Sequence, residues 1–248
     1  MTEAACDGLS GVSSSLVEMN SGLQFSNQMT TQQIQEILIK SANDLITLEA
    51  PNYQYVAARL LLFTIRKEVF GKHIDNQYEV PLQFLVGRNI EKGLYDPNIM
   101  KWYNDEEFKT LDSYIKHDRD YNFTYAGLRQ VADKYLVQDR SSGKVFETPQ
   151  YMYMLIAATL FHDYPKETRM SYVKRYYDAI SKHKINIPTP IMAGVRTPLR
   201  QFASCVLVDV DDTLDSIFSS DMAIGRYVAQ RAGIGINAGR IRGINSKT

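Results

Sequence analysis

Apolar residues recur at helical spacing through the first three quarters of the chain. Between Ile34 and Ile46 they follow a capping threonine at position 30 or 31, and between residues 51 and 70 they precede Gly71, which is placed to end a helix. Residues 151–161 are apolar on all sides, as is typical of a buried helix. This part is therefore predicted to be mainly helical, with further helices at residues 81–92, 105–116 and 166–181.

Two segments of this part lack the helical pattern. Residues 1–22 are rich in Ser, Gly and Ala and have little periodicity, so residues 1–28 are predicted to form a disordered or weakly ordered arm. Residues 135–147 contain two short β-prone runs on either side of Ser141, Ser142 and Gly143. This arrangement predicts a β-hairpin with Gly143 at a turn position.

After Lys184 the pattern changes to strand, helix and strand. Residues 185–189 and 202–209 are apolar enough to form buried strands, residues 214–232 have helical periodicity, and residues 234–237 predict the next strand. This order is typical of a parallel α/β unit. The residues after Asn237 are too few for the further strands of such a sheet. We therefore expect a complementary chain to cover its exposed edge.

Composition narrows the classes of function. The 28 Lys and Arg residues balance the 28 Asp and Glu residues, so no excess of positive charge favours nucleic-acid binding. The two cysteines, Cys6 and Cys205, lie far apart, which argues against a disulfide framework and for a reducing cytosol. Residues 1–20 lack the pattern of a signal peptide, and no apolar run approaches the roughly 20 residues of a membrane helix. We expect a cytoplasmic protein that binds neither nucleic acid nor a membrane.

Two motifs suggest chemistry that their context does not support. In residues 206–215, VLVDVDDTLD resembles the opening motif of haloacid dehalogenase-like phosphatases, with Asp209 as nucleophile and Asp211 as acid and base. No acidic pair follows to complete the magnesium site of such an enzyme. Residues 233–239, GIGINAG, approach a dinucleotide-binding pattern, but they follow a helix and begin a strand, which reverses the required order. A tight turn that lets backbone approach a ligand phosphate is the alternative.

Two further places in the sequence contain residues capable of metal or thiol chemistry. The residues from His117 to Asp120 are predicted to form a surface cluster at a helix end, because a metal site needs three or four convergent ligands. No metal site is predicted. Cys205 has two interpretations, a small buried apolar residue or a reactive thiol beside Ser204, and the residues alone leave both open.

Several long runs resemble one family in the same order along the chain. They include INIPTPIMAGVRTPLRQFASCVLVDVDDTLDSI and YVAQRAGIGINAGRIRG, and upstream APNYQYVAARLLLFTIRKEVFG, HDRDYNFTY and KYLVQDRSSGKVFETPQ. These runs resemble the large, catalytic subunit of class I ribonucleotide reductases from about Thr30 to Arg242. The resemblance implies an α+β fold, in which remnant ATP-cone helices and a helical domain with a β-hairpin precede the first strands and helix of an incomplete ten-stranded α/β barrel.

The resemblance also implies roles for particular residues. Cys205 matches the first member of the redox cysteine pair that reduces the substrate, and Thr189, Ser204 and Gly233 match positions that line the pocket of the substrate diphosphate. The specificity effector, a deoxynucleotide, would contact residues in two segments, namely Asp212, Thr213, Leu214 and Arg242.

The matching ATP-cone residues are Thr31 and Lys67, although residues 1–25 contain no counterpart of the basic β-hairpin with which that cone begins. The implied domains are the arm at 1–28, cone helices at 29–75, the helical domain at 76–184 and the start of the barrel at 185–248.

The resemblance implies partners as well. The radical cysteine, the second redox cysteine and the tyrosines of the radical path would lie in a complementary C-terminal fragment of the large subunit. A separate small subunit would carry a di-iron tyrosyl radical, thioredoxin or glutaredoxin would be the reductant, and nucleoside triphosphates would be the effectors. This chain itself is expected to bind no metal cofactor, and the assembled large subunit is expected to be a homodimer. The alternative is a non-catalytic remnant or regulatory module that pairs with intact reductase subunits.

Overall fold

The computed structural model describes residues 1–71, 80–199, 201–230 and 232–246. Its residues form two compact units. The helical unit comprises Met1–Asn186 and Arg196–Pro198, and the strand unit comprises Ile187–Val195 and Leu199–Thr248. The predicted domain boundary between residues 75 and 76 lies outside the described residues. The mainly helical α+β fold class is confirmed.

Most of the regular structure belongs to the helical unit. Its helices are α1 (Thr2–Cys6), α2 (Ser14–Gly22), α3 (Thr31–Asp44), α4 (Tyr53–Phe70), α5 (Leu82–Glu91), α6 (Ile99–Trp102), α7 (Asp105–Tyr114), α8 (Tyr125–Lys134), α9 (Pro149–Leu160) and α10 (Lys166–Ser181), with a 3₁₀ helix at His117–Asn122. The strand unit contains α11 (Thr189–Gly194), β1 (Cys205–Asp209), α12 (Leu214–Ala229) and β2 (Gly233–Asn237). Among the described residues, none of the helices has the length and apolar character needed to cross a membrane.

The expectation of a weakly ordered arm at residues 1–28 is wrong, because α1 and α2 lie there and pack against α3 and α4. Ala5 and Val17 are completely buried. The guanidinium of Arg59 donates to the carbonyl oxygen of Ala5 at 3.2 Å, and the backbone N–H of Ser13 donates to the hydroxyl of Tyr53 at 2.9 Å. These tertiary contacts order a segment whose own helical pattern is weak.

The two long N-terminal helices have the ends that the sequence predicts. Thr30 caps α3 in a capping box with Gln33, and Gly71 ends α4 in the left-handed conformation at φ 81°. The buried face of α3 includes the polar residue Gln35 as well as Ile39. The side chain of Gln35 is satisfied there by donating to the carbonyl oxygen of Leu60 at 2.8 Å.

The core of the helical unit is built around α9. All its residues from Pro149 to Thr159 are buried, which confirms the prediction of a helix that is apolar on all sides. The observed bounds of α10 equal the predicted ones, and Val173, Tyr177 and Ile180 form its buried face. Helices α5 and α7 also lie where the spacing of apolar residues predicts them.

The predicted hairpin at residues 135–147 is a tight turn with a single antiparallel bridge, between Gln138 and Val145. Gly143 has φ 72°, which confirms its turn position. Outside this bridge, side-chain carboxylates accept hydrogen bonds from backbone N–H groups that a longer strand pair would have used. The N–H of Val137 donates to Glu147 at 2.7 Å, and the N–H of Val145 donates to Glu68 at 2.8 Å. The backbone donors are therefore satisfied without a longer sheet.

A buried ion pair joins distant parts of the helical unit. Arg196 and Glu147 are both fully buried, and Arg196 Nε lies 2.9 Å from Glu147 Oε2. Arg196 also donates to the carbonyl oxygen of Tyr135 at 2.8 Å, and the hydroxyl of Tyr95 donates to Glu147. Burial, followed by the charge of Glu147, raises the pKa of Tyr95 well above its usual range, so the phenol stays protonated. A pair this deep is stable only because its polar atoms are hydrogen-bonded.

The prediction of a surface cluster at residues 117–120 is wrong for two of its members. His117 is 7% exposed and Asp120 is 1% exposed. Gln150 donates from Nε2 to Asp120 Oδ1 at 2.8 Å and accepts from the hydroxyl of Tyr177 at 2.6 Å. The 3₁₀ helix turns these two polar side chains inward, which charge patterning along the sequence does not reveal.

In the strand unit, β1 and β2 pair in parallel, with Cys205 opposite Gly233 and Asp209 opposite Asn237. The connection through α12 confirms the predicted strand, helix and strand order. The predicted strand at residues 185–189 is wrong. Pro188 and Pro190 suit the first turn of a helix, and α11 begins at Thr189. The expected burial of the strand at residues 202–209 is also wrong, since Leu207 of β1 is 87% exposed in this two-stranded sheet.

Replacing Asp120 with Asn should change how the stability of the chain depends on pH. Burial raises the pKa of Asp120 to about 7, whereas an unfolded aspartate has a pKa of about 3.9. The folded state therefore holds a proton that the unfolded state has lost, and the stability that this proton contributes is present below pH 4 and lost as the pH rises to 7. Relative to the wild type, Asp120→Asn should gain about 1 kcal/mol per pH unit across that window.

Urea unfolding at pH 5, 6 and 7 measures this difference. Asp133→Asn, at an exposed position on α8, is the matched control and should show the same pH dependence as the wild type. If Asp120→Asn ran parallel to the wild type as well, Asp120 would be ionised in the folded chain.

Candidate functional site

Cys205, Ser204 and Gly233 meet at the amino end of the strand pair. The N–H of Gly233 donates to the carbonyl oxygen of Ser204 at 3.0 Å, and the parallel register places Gly233 beside Cys205. A methyl group added to Gly233 would lie 3.5 Å from Cys205 Sγ and 3.5 Å from the Ser204 oxygen. The glycine therefore leaves open the space directly beside the thiol.

The Cys205 thiol is exposed and free. Of its two interpretations, the buried apolar residue is therefore wrong, and a thiol open to other molecules is what the fold presents. Thr189, the other residue predicted for this pocket, is also exposed but lies on a separate element, at the start of α11.

The predicted effector residues meet at the carboxyl end of the same strands. Arg242 donates from Nε to Asp212 Oδ2 at 2.6 Å. Thr213 is the N-cap of α12, and its hydroxyl accepts from the N–H of Ser216 at 3.1 Å. Leu214, the first residue of α12, is 70% exposed. A cation, a carboxylate, a hydroxyl and an apolar side chain therefore lie around one exposed turn.

Two further residues at this end were missed by the sequence reasoning. Arg240 donates to Asp211 at 2.9 Å and lies 3.0 Å from an oxygen of Asp209, and Asn237 donates to Asp209 at 2.8 Å. Both carboxylates of the phosphatase-like motif are therefore held by side chains from the segment that contains β2. The available signal was a second arginine, two positions before Arg242.

The two groups of residues lie at opposite ends of β1. Its five residues, Cys205–Asp209, span roughly 13 Å at about 3.3 Å per residue. Among the described residues, no group of three His, Cys, Asp or Glu side chains is placed to hold a metal ion.

Helix α12 follows β1 and precedes β2 in the sequence, and its exposed side is apolar. Phe218 and Met222 are more than half exposed. An open groove of about 270 Å³ lies along this helix and is lined by Met222, Ala223, Arg226, Tyr227 and Gln230.

The residues predicted for the ATP cone lie on two helices that pack together. Thr31 is the first residue of α3, Lys67 lies in the last turn of α4, and both are exposed. Their role as nucleotide contacts stays a prediction.

Two family models match the second half of the chain, and both describe domains of the same family. Residues 121–200 match the all-alpha domain of ribonucleotide reductase, and residues 203–248 match its barrel domain. The chain is 53% identical to ribonucleoside-diphosphate reductase 1 subunit alpha of Salmonella typhimurium over 243 residues, and 52% identical to that of Escherichia coli. The subunit alpha of Enterobacteria phage T4 is 48% identical over 221 residues.

These alignments cover almost all of this chain but only part of each relative. The Salmonella and Escherichia alignments include 98% of this chain and 31% of the relative, and the phage alignment includes 88% and 28%. The chain thus spans about a third of the length of the curated relatives it matches. It belongs to the ribonucleotide reductase large-subunit family and corresponds to the N-terminal region of that subunit.

Proposed function

We propose that this chain is the N-terminal part of a working ribonucleoside-diphosphate reductase, which makes deoxyribonucleoside diphosphates for DNA synthesis. The observation that carries the proposal is the exposed thiol of Cys205 beside Gly233 at the amino end of the strand pair. A thiol that must meet both a substrate and a second cysteine has to be accessible. The family match supports the same role.

In the proposed reaction Cys205 acts together with a second cysteine from the rest of the large subunit. The two thiols give up two electrons and two protons and become a disulfide. The substrate loses its 2′ oxygen as water and becomes the deoxyribonucleotide. A thioredoxin or glutaredoxin dithiol then reduces the disulfide by thiol–disulfide exchange, which regenerates Cys205.

The surroundings of Cys205 suit a nucleoside diphosphate. Gly233 has no side chain, so a ligand can approach the backbone and the thiol at once. Ser204, next to the thiol, offers a hydroxyl for a phosphate oxygen, and Thr189 offers a second one from α11. We assign all four residues to the substrate pocket.

At the other end of the strands we propose the site of the specificity effector, a deoxynucleoside triphosphate. Arg242 suits a phosphate because its guanidinium donates in a planar fork. Asp212 and Thr213 offer oxygens to the sugar or base, and the exposed Leu214 offers apolar contact. Thr31 and Lys67 are proposed contacts of a second nucleotide, ATP, on the cone helices.

The proposed activity depends on other chains. A complementary C-terminal fragment would supply the radical cysteine and the second redox cysteine, and a small subunit would supply the di-iron tyrosyl radical. The exposed apolar side of α12 fits a homodimer contact of the assembled large subunit, since Phe218 and Met222 would be covered there. We place the assembly in the cytoplasm, where its cysteines stay reduced.

A tagged pull-down from the native cells tests the proposed function. The eluate is assayed for conversion of ribonucleoside diphosphates to deoxyribonucleoside diphosphates, and its chains are identified by mass spectrometry. Turnover together with a chain that carries the further cysteines supports the proposal. If the chain is recovered alone or with an intact large subunit, and its removal leaves turnover unchanged, it is a remnant or a regulatory module.

Replacing Cys205 with Ser should abolish turnover with a dithiol reductant while the complex still assembles. Serine keeps the size of the side chain but cannot form a disulfide. Cys6→Ser is the matched control, because Cys6 lies in the helical unit and has no proposed role. Turnover is followed by the deoxynucleotide formed, and assembly by size-exclusion chromatography. Wild-type turnover in Cys205→Ser would contradict the redox role.

Replacing Gly233 with Ala should weaken the binding of the substrate without unfolding the strand unit. The added methyl group would meet Sγ of Cys205 at 3.5 Å, an ordinary contact distance, but it would fill the space that the substrate is proposed to enter. We expect the KM for a ribonucleoside diphosphate to rise roughly tenfold, the equivalent of about 1.4 kcal/mol.

Gly87→Ala, in helix α5, is the matched control, because an added methyl group there meets no atom within 4 Å. An unchanged KM in Gly233→Ala would place the substrate elsewhere.

A further inference from the structure

The turn after β1 is fastened to the segment after β2 by side chains that are not among the effector residues. Arg240 reaches two carboxylates at once, with Nη1 2.9 Å from Asp211 Oδ1 and Nη2 3.0 Å from Asp209 Oδ2. Asn237 donates from Nδ2 to Asp209 Oδ1 at 2.8 Å. The backbone N–H of Val210 donates to the carbonyl oxygen of Asn237 at 3.1 Å. The two segments are therefore joined by both side chains and backbone.

These two segments present the predicted effector contacts. Asp212 immediately follows Asp211 in the turn, and Arg242 lies two residues after Arg240. Within the turn, the N–H of Asp211 donates to the hydroxyl of Ser216 at 2.9 Å, which fixes the turn against the first residues of α12. The position of Asp212 therefore depends on the hydrogen bonds and ion pair of Asp211, and that of Arg242 on the ion pairs of Arg240.

The positive charge of Arg240 also affects how a triphosphate would bind at this end of the strands. Asp209, Asp211 and Asp212 lie together at this end of the strands, and Arg240 and Arg242 are the cations paired with them. A triphosphate that approaches Arg242 must compete with Asp212 for it. It would also be repelled by Asp209 and Asp211 if Arg240 did not neutralise them, since like charges at short range oppose binding.

We propose that Arg240 is a positioning residue for the nucleotide effector. It holds the turn after β1 and the segment after β2 together, so that Asp212 and Arg242 can reach one deoxynucleoside triphosphate, and it shields that triphosphate from the carboxylates of Asp209 and Asp211. This inference rests on the proposed function, which assigns the effector site to this end of the strands.

The side chain chemistry explains why arginine is needed. A guanidinium has several N–H groups in a rigid plane and can bind two separate carboxylates, whereas a lysine ammonium acts as a single point charge. The pairs of Arg240 are exposed, with 60% of its side chain accessible, and exposed ion pairs contribute little to folding. The effect of Arg240 is therefore expected in nucleotide binding and hardly at all in the stability of the chain.

Equilibrium binding of dATP, dGTP, dCTP and dTTP to the assembled reductase tests this role. For the nucleotide that the wild type binds most tightly, Arg240→Ala should raise the dissociation constant roughly threefold to tenfold, because two ion pairs and one positive charge are lost. Arg240→Lys should recover part of the affinity, since it keeps the charge but reaches one carboxylate. Adding Asp211→Asn to Arg240→Ala should also recover part, since it removes an unneutralised carboxylate.

Arg129→Ala is the matched control. Arg129 is likewise an exposed arginine paired with an aspartate, Asp133, at 3.3 Å, but it lies on α8 in the helical unit. The urea midpoint is measured for every variant and should stay at the wild-type value.

Arg240→Ala with wild-type affinity would overturn the inference, and so would weaker affinity accompanied by a lowered urea midpoint and no recovery in the Lys or Asn variants. If the wild type binds none of the four nucleotides, the proposed effector site is itself rejected, together with the role of Arg240.

Discussion

The parallel pairing of β1 and β2 is the constraint on which the proposed chemistry of this chain depends. Its register places Cys205 beside Gly233 at one end and Asp209 beside Asn237 at the other. A slip of one residue would turn every side chain of β1 to the opposite face. The thiol, the open space beside it and the carboxylates at the far end are therefore all fixed by one set of backbone hydrogen bonds.

The two ends of the strand pair differ in their chemistry. The amino end presents the thiol of Cys205, the hydroxyl of Ser204 and the glycine at position 233. The carboxyl end carries three aspartates and the two arginines that pair with them. Because β1 is only about 13 Å long, an effector held at the charged end would be one short strand away from a substrate at the thiol. This separation suits regulation of substrate choice by a second nucleotide.

The sequence predicts the helices of this fold better than it predicts which polar side chains are buried. Caps and spacing locate α3, α4, α9 and α10 because local backbone preferences and apolar periodicity decide those helices. The order of residues 1–28 could not be predicted, since it comes from contacts with α4 such as those of Arg59. The burial of Asp120 was missed for a related reason. Its partner Gln150 lies on α9, and no pattern near Asp120 signals a partner 30 residues away.

For the candidate site, the resemblance supplied most of the residues and the fold brought them into two groups. Cys205 with Gly233, and Asp212 with Arg242, are close in space although far apart in sequence. The only sequence signal for Arg240 is its place two residues before Arg242, because its role comes from reaching two carboxylates across paired strands. The most direct measurement is disulfide mapping of the assembled reductase after turnover without an external reductant. The account predicts that Cys205 is found in a disulfide with a cysteine from the rest of the large subunit, in proportion to the deoxynucleotide formed. A free Cys205 thiol after that turnover would contradict it.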